Sequence, residues 1–394
     1  MEPSDYEIIV VGAGVIGSAT AYYAAKEFGN KALLLEQYDF LHRRGSSHGD
    51  SRIIRYTYAK DVYTGLMFDA YKLWSEAEKE SSTKVYTRTG GVDFGKKDNP
   101  AIKSLIEAAK KFNVEHQVFE NATELSNKFP MLKLQPGYLA VYNPESGILN
   151  ATKAVSMFQQ CARSNGCNLV DNTRVTSITQ DDNGRVIVEV ENGKKFSAKK
   201  CILTTGPWTK KILKSVANLD IPLNPVQPTI AYWKVDSPEE YSSERFPVFI
   251  NYDKPLLYGT PAHEFPNLIK CAAHFGPDCD PDNRSFDPGN EDIINDVSPW
   301  LQKVFTGVSP TPQMTESCMY TETPDYDFII DEVPGMKNVV VGCGFSGHGF
   351  KLAPVVGTLL VNLAKTGNFK CENVKKAFSL ERFKEPIKWL EHCW

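Results

Sequence analysis

A glycine-rich segment near the N-terminus has the spacing of a dinucleotide-binding turn. Gly12, Gly14 and Gly17 follow a short β-branched run and precede an Ala-rich stretch of helical composition. In such a turn the first glycine permits a tight bend, the second lets backbone approach a pyrophosphate, and the third lets the helix pack on the strand. Glu36 ends the next apolar run, 22 residues after Gly14, where its carboxylate can accept hydrogen bonds from ribose. The spacing predicts a dinucleotide site but does not distinguish NAD from FAD.

A basic loop follows this unit. Arg43, Arg44, His48, Arg52 and Arg55 fall within thirteen residues, and serines and glycines separate them. Arginine binds carboxylates and phosphates through paired hydrogen bonds. We interpret the loop as one that wraps along a bound cofactor, with an ordinary solvated loop as the alternative.

A second glycine-rich turn lies near the C-terminal end. Residues 342–349 contain four glycines after an apolar run, and a helix is predicted over 351–365. So many glycines indicate close approach of backbone to a flat ligand. Lys351 stands at the predicted helix start, where a cation is unfavourable against the helix dipole. We therefore interpret Lys351 as facing a bound anion.

Lys270 and His274 are four residues apart in an otherwise apolar run. Even spacing on a strand places both side chains on one face. Polar groups on such a face are costly unless they are paired or border a cavity. Tyr258 and Tyr320 are further candidates for the same cavity, although a tyrosine is more often part of the core.

Other elements are predicted around these residues. Tyr6 to Val11, the first glycine turn, a helix over 18–28 and an apolar run over 31–36 form a βαβ unit. Further helices are predicted over 62–80, 100–113 and 151–165. Short strands are predicted at 90–94, 141–142, 168–171, 174–179, 185–190, 200–206, 229–235 and 268–274. Residues 276–300 are polar and are predicted to form a turn-rich surface segment.

Composition limits the class of protein. The 394 residues carry 44 basic and 48 acidic side chains, a net charge of −4, with 42% hydrophobic residues. This balance is that of a globular protein of about two domains, without the basic face of a nucleic-acid binder and without a membrane-spanning run. The nine cysteines are irregularly spaced and include no C-x-x-C pair, so no zinc ribbon is predicted. Motifs of serine hydrolases, zinc proteases and P-loop proteins are missing as well.

Five segments together resemble a known family. They are residues 12–17, 45–55, 318–325, 328–331 and 344–351. The likeness is to monomeric sarcosine oxidases and their eukaryotic relatives, the peroxisomal sarcosine and L-pipecolate oxidases, and it extends from about residue 6 to 385. It implies an FAD enzyme that oxidises the C–N bond of a secondary amino acid. In that reaction a hydride equivalent goes to the flavin, O₂ is reduced to H₂O₂, and the imine product hydrolyses.

The resemblance also implies roles for individual residues. Lys270, His274, Arg52 and Tyr320 are the implied catalytic residues, with Lys270 assisting O₂ reduction. The implied substrate-binding residues are Arg55, Lys351, Tyr258, Gly347 and His348, with Arg55 and Lys351 on the carboxylate. The residues implied to hold FAD are Gly12, Gly14, Val15, Ile16, Gly17, Glu36, Gln37, Arg44, Ser46, Ser47, His48, Arg52, Val175, Gly206, Trp208, Cys318, Met319, Gly344, Phe345, Ser346, Gly347, Gly349 and Lys351. Cys318 is implied to bind the flavin covalently, and no metal is expected.

The predicted fold is mixed α/β, with a Rossmann-type FAD domain interleaved with an antiparallel-sheet substrate domain. Residues 1–85, 145–220 and 325–394 are assigned to the FAD domain, and residues 86–144 and 221–324 to the substrate domain. Residues 224–235 and Asn267 depart from the family pattern, so the substrate side chain stays open. Sarcosine, other N-methyl amino acids, L-pipecolate and a specialised cyclic amine or alkaloid are the alternatives.

Two other functions account for less of the sequence. An NAD-dependent dehydrogenase leaves Cys318 and the second glycine turn without a role, and a non-catalytic flavin-binding protein does not need Arg55, Lys270, His274 and Lys351. The expected partners are a small secondary amine and O₂, without nucleic acid or membrane, and the chain is expected to be a monomer. An intracellular location is expected, either peroxisomal by resemblance or cytoplasmic, because the last three residues, His392-Cys393-Trp394, are not an S-K-L-type signal.

Overall fold

A computed structural model describes residues 4–286, 291–369 and 371–385 of the chain. Within those ranges the α-helices are α1 (Val15–Phe28), α2 (Asp61–Ser81), α3 (Pro100–Lys111), α4 (Ala122–Lys128), α5 (Ala151–Ser164), α6 (Thr209–Ala217), α7 (Glu291–Val304), α8 (Ala353–Thr366) and α9 (Glu372–Phe378). Short 3₁₀ helices are Gly29–Lys31, Gly206–Trp208, Phe350–Leu352 and Leu380–Phe383.

The strands of the same ranges form two large sheets and two small ones. They are β1 (Ser4–Val11), β2 (Ala32–Leu35), β3 (Arg52–Ile54), β4 (Tyr86–Arg88), β5 (Gly91–Lys96), β6 (Gln117–Phe119), β7 (Tyr138–Asn143), β8 (Gly147–Leu149), β9 (Asn168–Val170), β10 (Val175–Gln180), β11 (Val186–Val190), β12 (Lys195–Leu203), β13 (Asn224–Val226), β14 (Thr229–Val235), β15 (Val248–Asn251), β16 (Leu257–Phe265), β17 (Leu268–Ala273), β18 (Val308–Ser317), β19 (Tyr320–Glu322), β20 (Ile329–Glu332) and β21 (Val339–Cys343).

The first large sheet has a parallel centre. β1 pairs in parallel with β2 and β12, and the parallel run continues to β9 on one side and β21 on the other. β11 of the β10–β11 hairpin pairs antiparallel with the N-terminal half of β12. β20 pairs antiparallel with β21 at the other side of the sheet. The side chains of β2 are buried on both faces of the sheet. Its sequence is therefore a continuous apolar run without alternating polar residues. The predicted Rossmann-type arrangement is confirmed.

Helix α1 lies on this sheet and packs between α5 and α8. Its small residues allow this close packing, because nearly all side chains from Val15 to Ala25 are buried. The Asn150 side chain caps α5 by accepting from the Lys153 amide, and Gly367 ends α8 with φ +68°.

The second large sheet is mainly antiparallel, in the order β18-β14-β17-β16-β15-β5-β7-β6. Alternate side chains of its strands point to opposite faces. Trp233 of β14 and Ile269 of β17 belong to an aromatic-rich core that includes residues of α7. Tyr232 and Leu268 belong to a smaller cluster on the other face, which also contains Cys318. The second face therefore borders the site described below.

The strands of the first large sheet come from residues 4–35, 168–203 and 329–343, and those of the second from 91–143 and 229–317. This distribution supports the interleaved two-domain organisation, while the exact domain boundaries stay a prediction.

Most predicted elements are present, and some differ. Residues 276–300 were predicted as turns, but α7 begins at Glu291. The helix predicted from residue 351 is a 3₁₀ turn, Phe350–Leu352, that continues into α8. The predicted FAD-domain residues 386–394 lie outside the described residues. None of the helices in the described part of the chain combines the length and apolar character needed to cross a bilayer.

Candidate active site

A cavity of about 520 Å³ lies at the carboxyl ends of the parallel strands. This size is within the range of roughly 300–1,000 Å³ typical of ligand and cofactor sites. Most of the residues predicted to hold the cofactor line it, namely Gly12, Gly14, Val15, Ile16, Glu36, Gln37, Ser46, Ser47, His48, Arg52, Val175, Gly206, Trp208, Met319, Gly344, Phe345, Ser346, Gly347 and Gly349.

The first glycine turn is shaped by close contacts. Gly12 has φ +98°, and a Cβ there would lie 2.6 Å from the Thr204 carbonyl oxygen. A Cβ on Gly17 would lie 1.7 Å from the Gly12 oxygen. Gly17 does not line the cavity, so its part is to let α1 pack against the turn. Gly14 is the N-cap of α1, and it lines the cavity without a side chain that could cap the helix.

Glu36 is buried where β2 ends, and its carboxylate braces the turn. One carboxylate oxygen accepts from the Ala13 amide at 2.7 Å. The other accepts from the Tyr38 amide at 3.1 Å and lies 3.3 Å from His42 Nε2. A carboxylate can accept about four hydrogen bonds, so capacity remains for a ligand hydroxyl.

The basic loop lies along the cavity wall and is fixed mainly by backbone. The Arg52 guanidinium donates to the carbonyl oxygens of Ser46, His48 and Ser51 at 3.1, 2.6 and 2.7 Å. Ser47 Oγ accepts from the Val15 amide at 3.0 Å and so joins the loop to the start of α1. Arg44 does not line the cavity, because its guanidinium lies over the Tyr38 ring, 4.9 Å from the ring centroid.

The neighbouring His48 is neutral. Burial lowers the pKa of His48 to about 3, and the positive charge of Arg52 adds to the effect. Neither ring nitrogen of His48 has a hydrogen-bond partner among the described residues. A neutral, unpartnered imidazole beside the cavity is thus available to a ligand.

The far wall of the cavity comes from β10 and from the turn after β12. Val175 opens β10, and Gly206 with φ +52° begins a 3₁₀ turn. Trp208 ends that turn, and its indole N–H donates to Asp282 at 2.7 Å. This contact ties the first sheet to the segment before α7.

A smaller cavity of about 80 Å³ shares walls with the large one. His48, Arg52, Tyr320, Gly347 and Phe350 border both cavities. All of the residues predicted as catalytic or substrate-binding line the small cavity: Lys270, His274, Arg52, Tyr320, Arg55, Lys351, Tyr258, Gly347 and His348.

Two buried cations lie at one end of the small cavity. Lys351 Nζ donates to the Tyr58 hydroxyl at 3.1 Å and to the His348 carbonyl at 3.2 Å. Arg55 lies over the face of the same Tyr58 ring, 4.5 Å from the centroid. Burial and the charge of Arg55 hold the pKa of Lys351 well below its usual value. A negatively charged ligand would raise the pKa of Lys351 and favour its charged form.

His348 supports the cationic end from behind. Its Nδ1 lies 3.2 Å from the Tyr58 hydroxyl and its Nε2 lies 3.0 Å from the Tyr326 carbonyl oxygen. Burial and the charge of Lys351 keep the pKa of His348 well below its usual range. The ring is therefore neutral, with Nε2–H donating to Tyr326 and Nδ1 accepting from Tyr58.

The other end of the small cavity is aromatic. The hydroxyls of Tyr258 and Tyr320 are 2.8 Å apart, and the His274 ring lies 4.9 Å from the Tyr320 ring. Burial raises the pKa of both tyrosines, so both stay protonated. Gly347 makes room here, because a Cβ on it would lie 2.5 Å from His274 Cε1.

Lys270 lies on β17 and is paired with an acid that the sequence reasoning missed. Its ammonium lies 2.7 Å from Glu264 Oε1 and 2.9 Å from Ser51 Oγ. Glu264 sits in the β16–β17 hairpin, where a charged residue is ordinarily exposed, so the sequence carries no signal for it. Tyr58 was missed for a similar reason, since a lone tyrosine usually belongs to the core.

Cys318 follows β18 and borders the small cavity rather than the large one. Its Sγ lies 4.0 Å from Nη2 of Arg52. All eight cysteines within the described residues are free, and Cys393 lies outside them. Of these eight cysteines, Cys318 is the one that lines either the large or the small cavity.

These features fit a flavin dinucleotide. The bare Gly14 N-cap and the Ser47 hydroxyl suit a pyrophosphate, and Glu36 suits a ribose. The second glycine turn and the unpartnered His48 suit a flat ring where the two cavities meet. The fold and the site define an oxidoreductase with a flavin-type dinucleotide site next to a small pocket for an anionic substrate.

Comparison with known proteins agrees with a flavin-dependent oxidoreductase. The chain matches the family of FAD dependent oxidoreductases over residues 7–363 and belongs to that family. It is 42% identical to a probable sarcosine oxidase of Arabidopsis thaliana, over 98% of this chain and 95% of that protein. It is 36% identical to the human peroxisomal sarcosine oxidase, over 91% and 92% of the two chains. The protein is an FAD-dependent amine oxidoreductase acting on CH–NH donors, so the predicted class and the FAD cofactor are confirmed.

A solved structure gives the same fold. NikD, described as an unusual amino acid oxidase, superposes with a TM-score of 0.82 over 99% of this chain and 100% of that chain, at 21% identity. The predicted Rossmann-type FAD fold agrees with this likeness.

The contact between Gly347 and His274 leads to a prediction. Gly347→Ala should displace the His274 ring and raise the KM for the amine at least about tenfold, because the new methyl overlaps that ring. FAD content should be measured by absorbance, so that KM values are compared at equal FAD occupancy. Gly335→Ala is the matched control, since Gly335 has a similar φ of +79° but nothing within 4 Å. Equal KM values for the two variants would contradict the assignment.

Proposed function

We propose that this protein oxidises small secondary amino acids, sarcosine foremost, to the imine and reduces O₂ to H₂O₂. The observation that carries this proposal is the pair of buried cations, Arg55 and Lys351, at one end of a small cavity that adjoins the cofactor cavity. The named activities of the plant and human relatives support it.

The substrate carboxylate binds at the cationic end. Among the described residues, no carboxylate lies within 4.0 Å of Lys351 to form an ion pair. Arg55 is linked to the buried Asp93 through Thr57, whose hydroxyl lies 3.5 Å from Arg55 and 2.8 Å from Asp93. Asp93 thus reaches Arg55 only through Thr57, and Lys351 has no directly paired acid among the described residues, so the carboxylate of an amino acid completes this end of the cavity.

With the carboxylate fixed, the amine end of the substrate points toward the aromatic end of the cavity. The chemistry supplied by bound FAD is the two-electron oxidation of the C–N bond and the transfer of those electrons to O₂. Tyr258, Tyr320 and His274 confine the amine and exclude water. Lys270 holds a positive charge beside the cavity, where it stabilises negative charge that develops on O₂.

The size of the small cavity favours small substrates. A buried water needs roughly 10–15 Å³ of such volume, so 80 Å³ holds about five to eight atoms of that size. Sarcosine is about that large. N-methyl-L-tryptophan, which appears in the name of an oxidase that is 31% identical to this chain, is more than twice as large as sarcosine. We infer preference for sarcosine and similarly small secondary amino acids, with rings such as L-proline and L-pipecolate accepted less well.

Two further expectations belong to this proposal. Cys318 is the residue that we propose to hold the flavin covalently, since its sulfur borders the region where the two cavities meet. We also propose a monomer, as in the bacterial enzymes named monomeric sarcosine oxidase. We place the protein inside the cell, in the peroxisome named for its mammalian relatives, and imaging of a fluorescent fusion distinguishes this compartment from the cytoplasm.

A peroxide screen tests the proposed activity. Purified holoenzyme should release H₂O₂ with sarcosine, N-methyl-L-alanine, L-proline and L-pipecolate, with the highest kcat/KM for sarcosine. N-methyl-L-tryptophan should give at least about tenfold lower kcat/KM because the cavity is too small. Absence of peroxide with every secondary amino acid would refute the proposal and favour a non-catalytic flavin protein.

Removal of one cation tests the carboxylate site. Lys351→Met should raise the KM for sarcosine about thirtyfold or more, because a charged group loses its buried partner. The kcat should change much less. Lys365→Met is the control, since Lys365 pairs with Glu27 on the surface and should affect KM little. Equal KM for Lys351→Met and the wild type would place the carboxylate elsewhere.

The covalent attachment has a simple test. Acid-precipitated holoenzyme should retain its yellow colour in the pellet, whereas Cys318→Ala should release the colour into the supernatant. Cys371→Ala is the control, because Cys371 is exposed and lines neither cavity. Colour in the supernatant of the wild type would rule out the covalent bond.

A further inference from the structure

Lys270 and Glu264 form an ion pair removed from water. The exposed fractions of the two side chains are 6% and 4%, and the ammonium nitrogen lies 2.7 Å from Oε1 of the carboxylate. A buried ammonium without a partner tends to lose its proton, and it is costly when it keeps the proton. Lys270 therefore depends on this carboxylate for its charge.

Glu264 is held in place by three donors. Oε1 accepts from Lys270 and from the Ser51 hydroxyl, and Oε2 accepts from the Tyr232 hydroxyl at 2.9 Å. Burial raises the pKa of Glu264, but the charge of Lys270 and these hydrogen bonds bring it down to about 2. The carboxylate thus stays ionised, and its position is fixed from β14 as well as from the loop before β3.

The hairpin geometry explains how Glu264 reaches Lys270. Thr260 of β16 pairs with Lys270 of β17, but the register shifts between Thr260 and Phe265. Glu264 lies within this irregular stretch, where side chains need not alternate regularly between the two faces of the sheet. It lies against the ammonium on the face that borders the small cavity.

The three N–H groups of the ammonium have three acceptors. Glu264 Oε1 and Ser51 Oγ lie at 2.7 and 2.9 Å, and the Ser51 carbonyl oxygen lies farther away, at 3.4 Å. Lys270 also lines the small cavity. The pair therefore holds a localised positive charge at the cavity wall, where the long contact to the Ser51 carbonyl is the weakest of the three.

We propose that Glu264 is the positioning residue for the oxygen reaction, which holds Lys270 protonated and fixed beside the cavity. This inference rests on the proposed oxidase function. In that reaction the amine loses two electrons and two protons, one from C–H and one from N–H, and O₂ gains two of each to become H₂O₂. Glu264 exchanges none of them, since it acts only through Lys270.

Other ionisable groups surround Lys270 and must be considered in a titration. They are Glu264 on β16, Tyr232 on β14, Glu316 on β18, Tyr258 on β16, and His48 and Arg52 from the basic loop. His48 is neutral down to about pH 3, and Tyr232 stays protonated because burial and the two carboxylates raise its pKa. Removing the charge of Glu264 therefore changes chiefly the ionisation of Lys270.

Glu264→Gln tests the inference, because it keeps the shape and removes the charge. In oxidised holoenzyme without substrate, NMR of ¹⁵N-labelled lysine, with the Lys270 signal assigned through Lys270→Met, should show Lys270 titrating at lower pH than in the wild type. At pH 8 the rate constant for reoxidation of the reduced enzyme by O₂ should fall at least tenfold. Anaerobic reduction by sarcosine should stay within twofold.

Glu316→Gln is the matched control. Glu316 lies one hydrogen bond further from Lys270, with Oε2 at 3.3 Å from the Tyr232 hydroxyl, and this variant leaves the Lys270–Glu264 pair intact. Its Lys270 titration and its reoxidation rate should change much less than those of Glu264→Gln. If Glu264→Gln does not fold, Glu264→Asp draws the carboxylate away from Lys270 by one methylene and should shift the Lys270 titration in the same direction by a smaller amount.

An unchanged Lys270 titration in Glu264→Gln, or an unchanged reoxidation rate at pH 8, would overturn the inference. The NMR titration needs neither substrate nor turnover, so it separates this outcome from failure of the proposed function. A shifted titration in a protein that releases no peroxide would refute the oxidase function but retain the charge dependence of Lys270 on Glu264.

Discussion

Three positively charged side chains lie buried around one small cavity, and each must be compensated for the water it has lost. Arg55, Lys270 and Lys351 are 2%, 4% and 7% exposed. Lys270 is paired directly with Glu264, and Arg55 reaches Asp93 through Thr57. Lys351 Nζ has hydrogen bonds to a neutral hydroxyl and a carbonyl, and no acid among the described residues forms an ion pair with it. This unequal compensation supports the proposed roles, because Lys351 lacks a directly paired acid and a bound carboxylate would supply one.

The two large sheets contribute different halves of the site. The cationic end comes from segments attached to the first sheet and its helices, since Arg55 follows β3 and Lys351 lies in the 3₁₀ turn before α8. Tyr258 lies on β16 and Lys270 on β17 of the second sheet, and His274 directly follows β17. In the proposed binding mode, a substrate held at both ends therefore contacts residues from segments of both large sheets.

The sequence predicted what depends on local chemistry. The glycine spacing at 12–17 and the acid at Glu36 identified the dinucleotide turn, because these requirements are set by close backbone contacts within one βαβ unit. Alternation on β17 placed Lys270 and His274 at one cavity. The sequence did not predict Glu264 as a site residue, because its burial depends on a shifted register in a hairpin. It did not predict Tyr58 either, because the contacts of Tyr58 join residues far apart in the chain.

Arg44 and Lys351 show the same limit from opposite directions. Both are basic residues in loops or turns near glycines, and both were assigned to the cofactor. Arg44 lies over the Tyr38 ring outside the cavity, whereas Lys351 is drawn into the small cavity by Tyr58 and the His348 carbonyl. Residue type and spacing alone do not separate these cases, because the difference arises from the aromatic partner that each cation meets. The tertiary placement of Tyr38 and Tyr58 thus accounts for why Arg44 lies outside the cavities while Lys351 borders one of them.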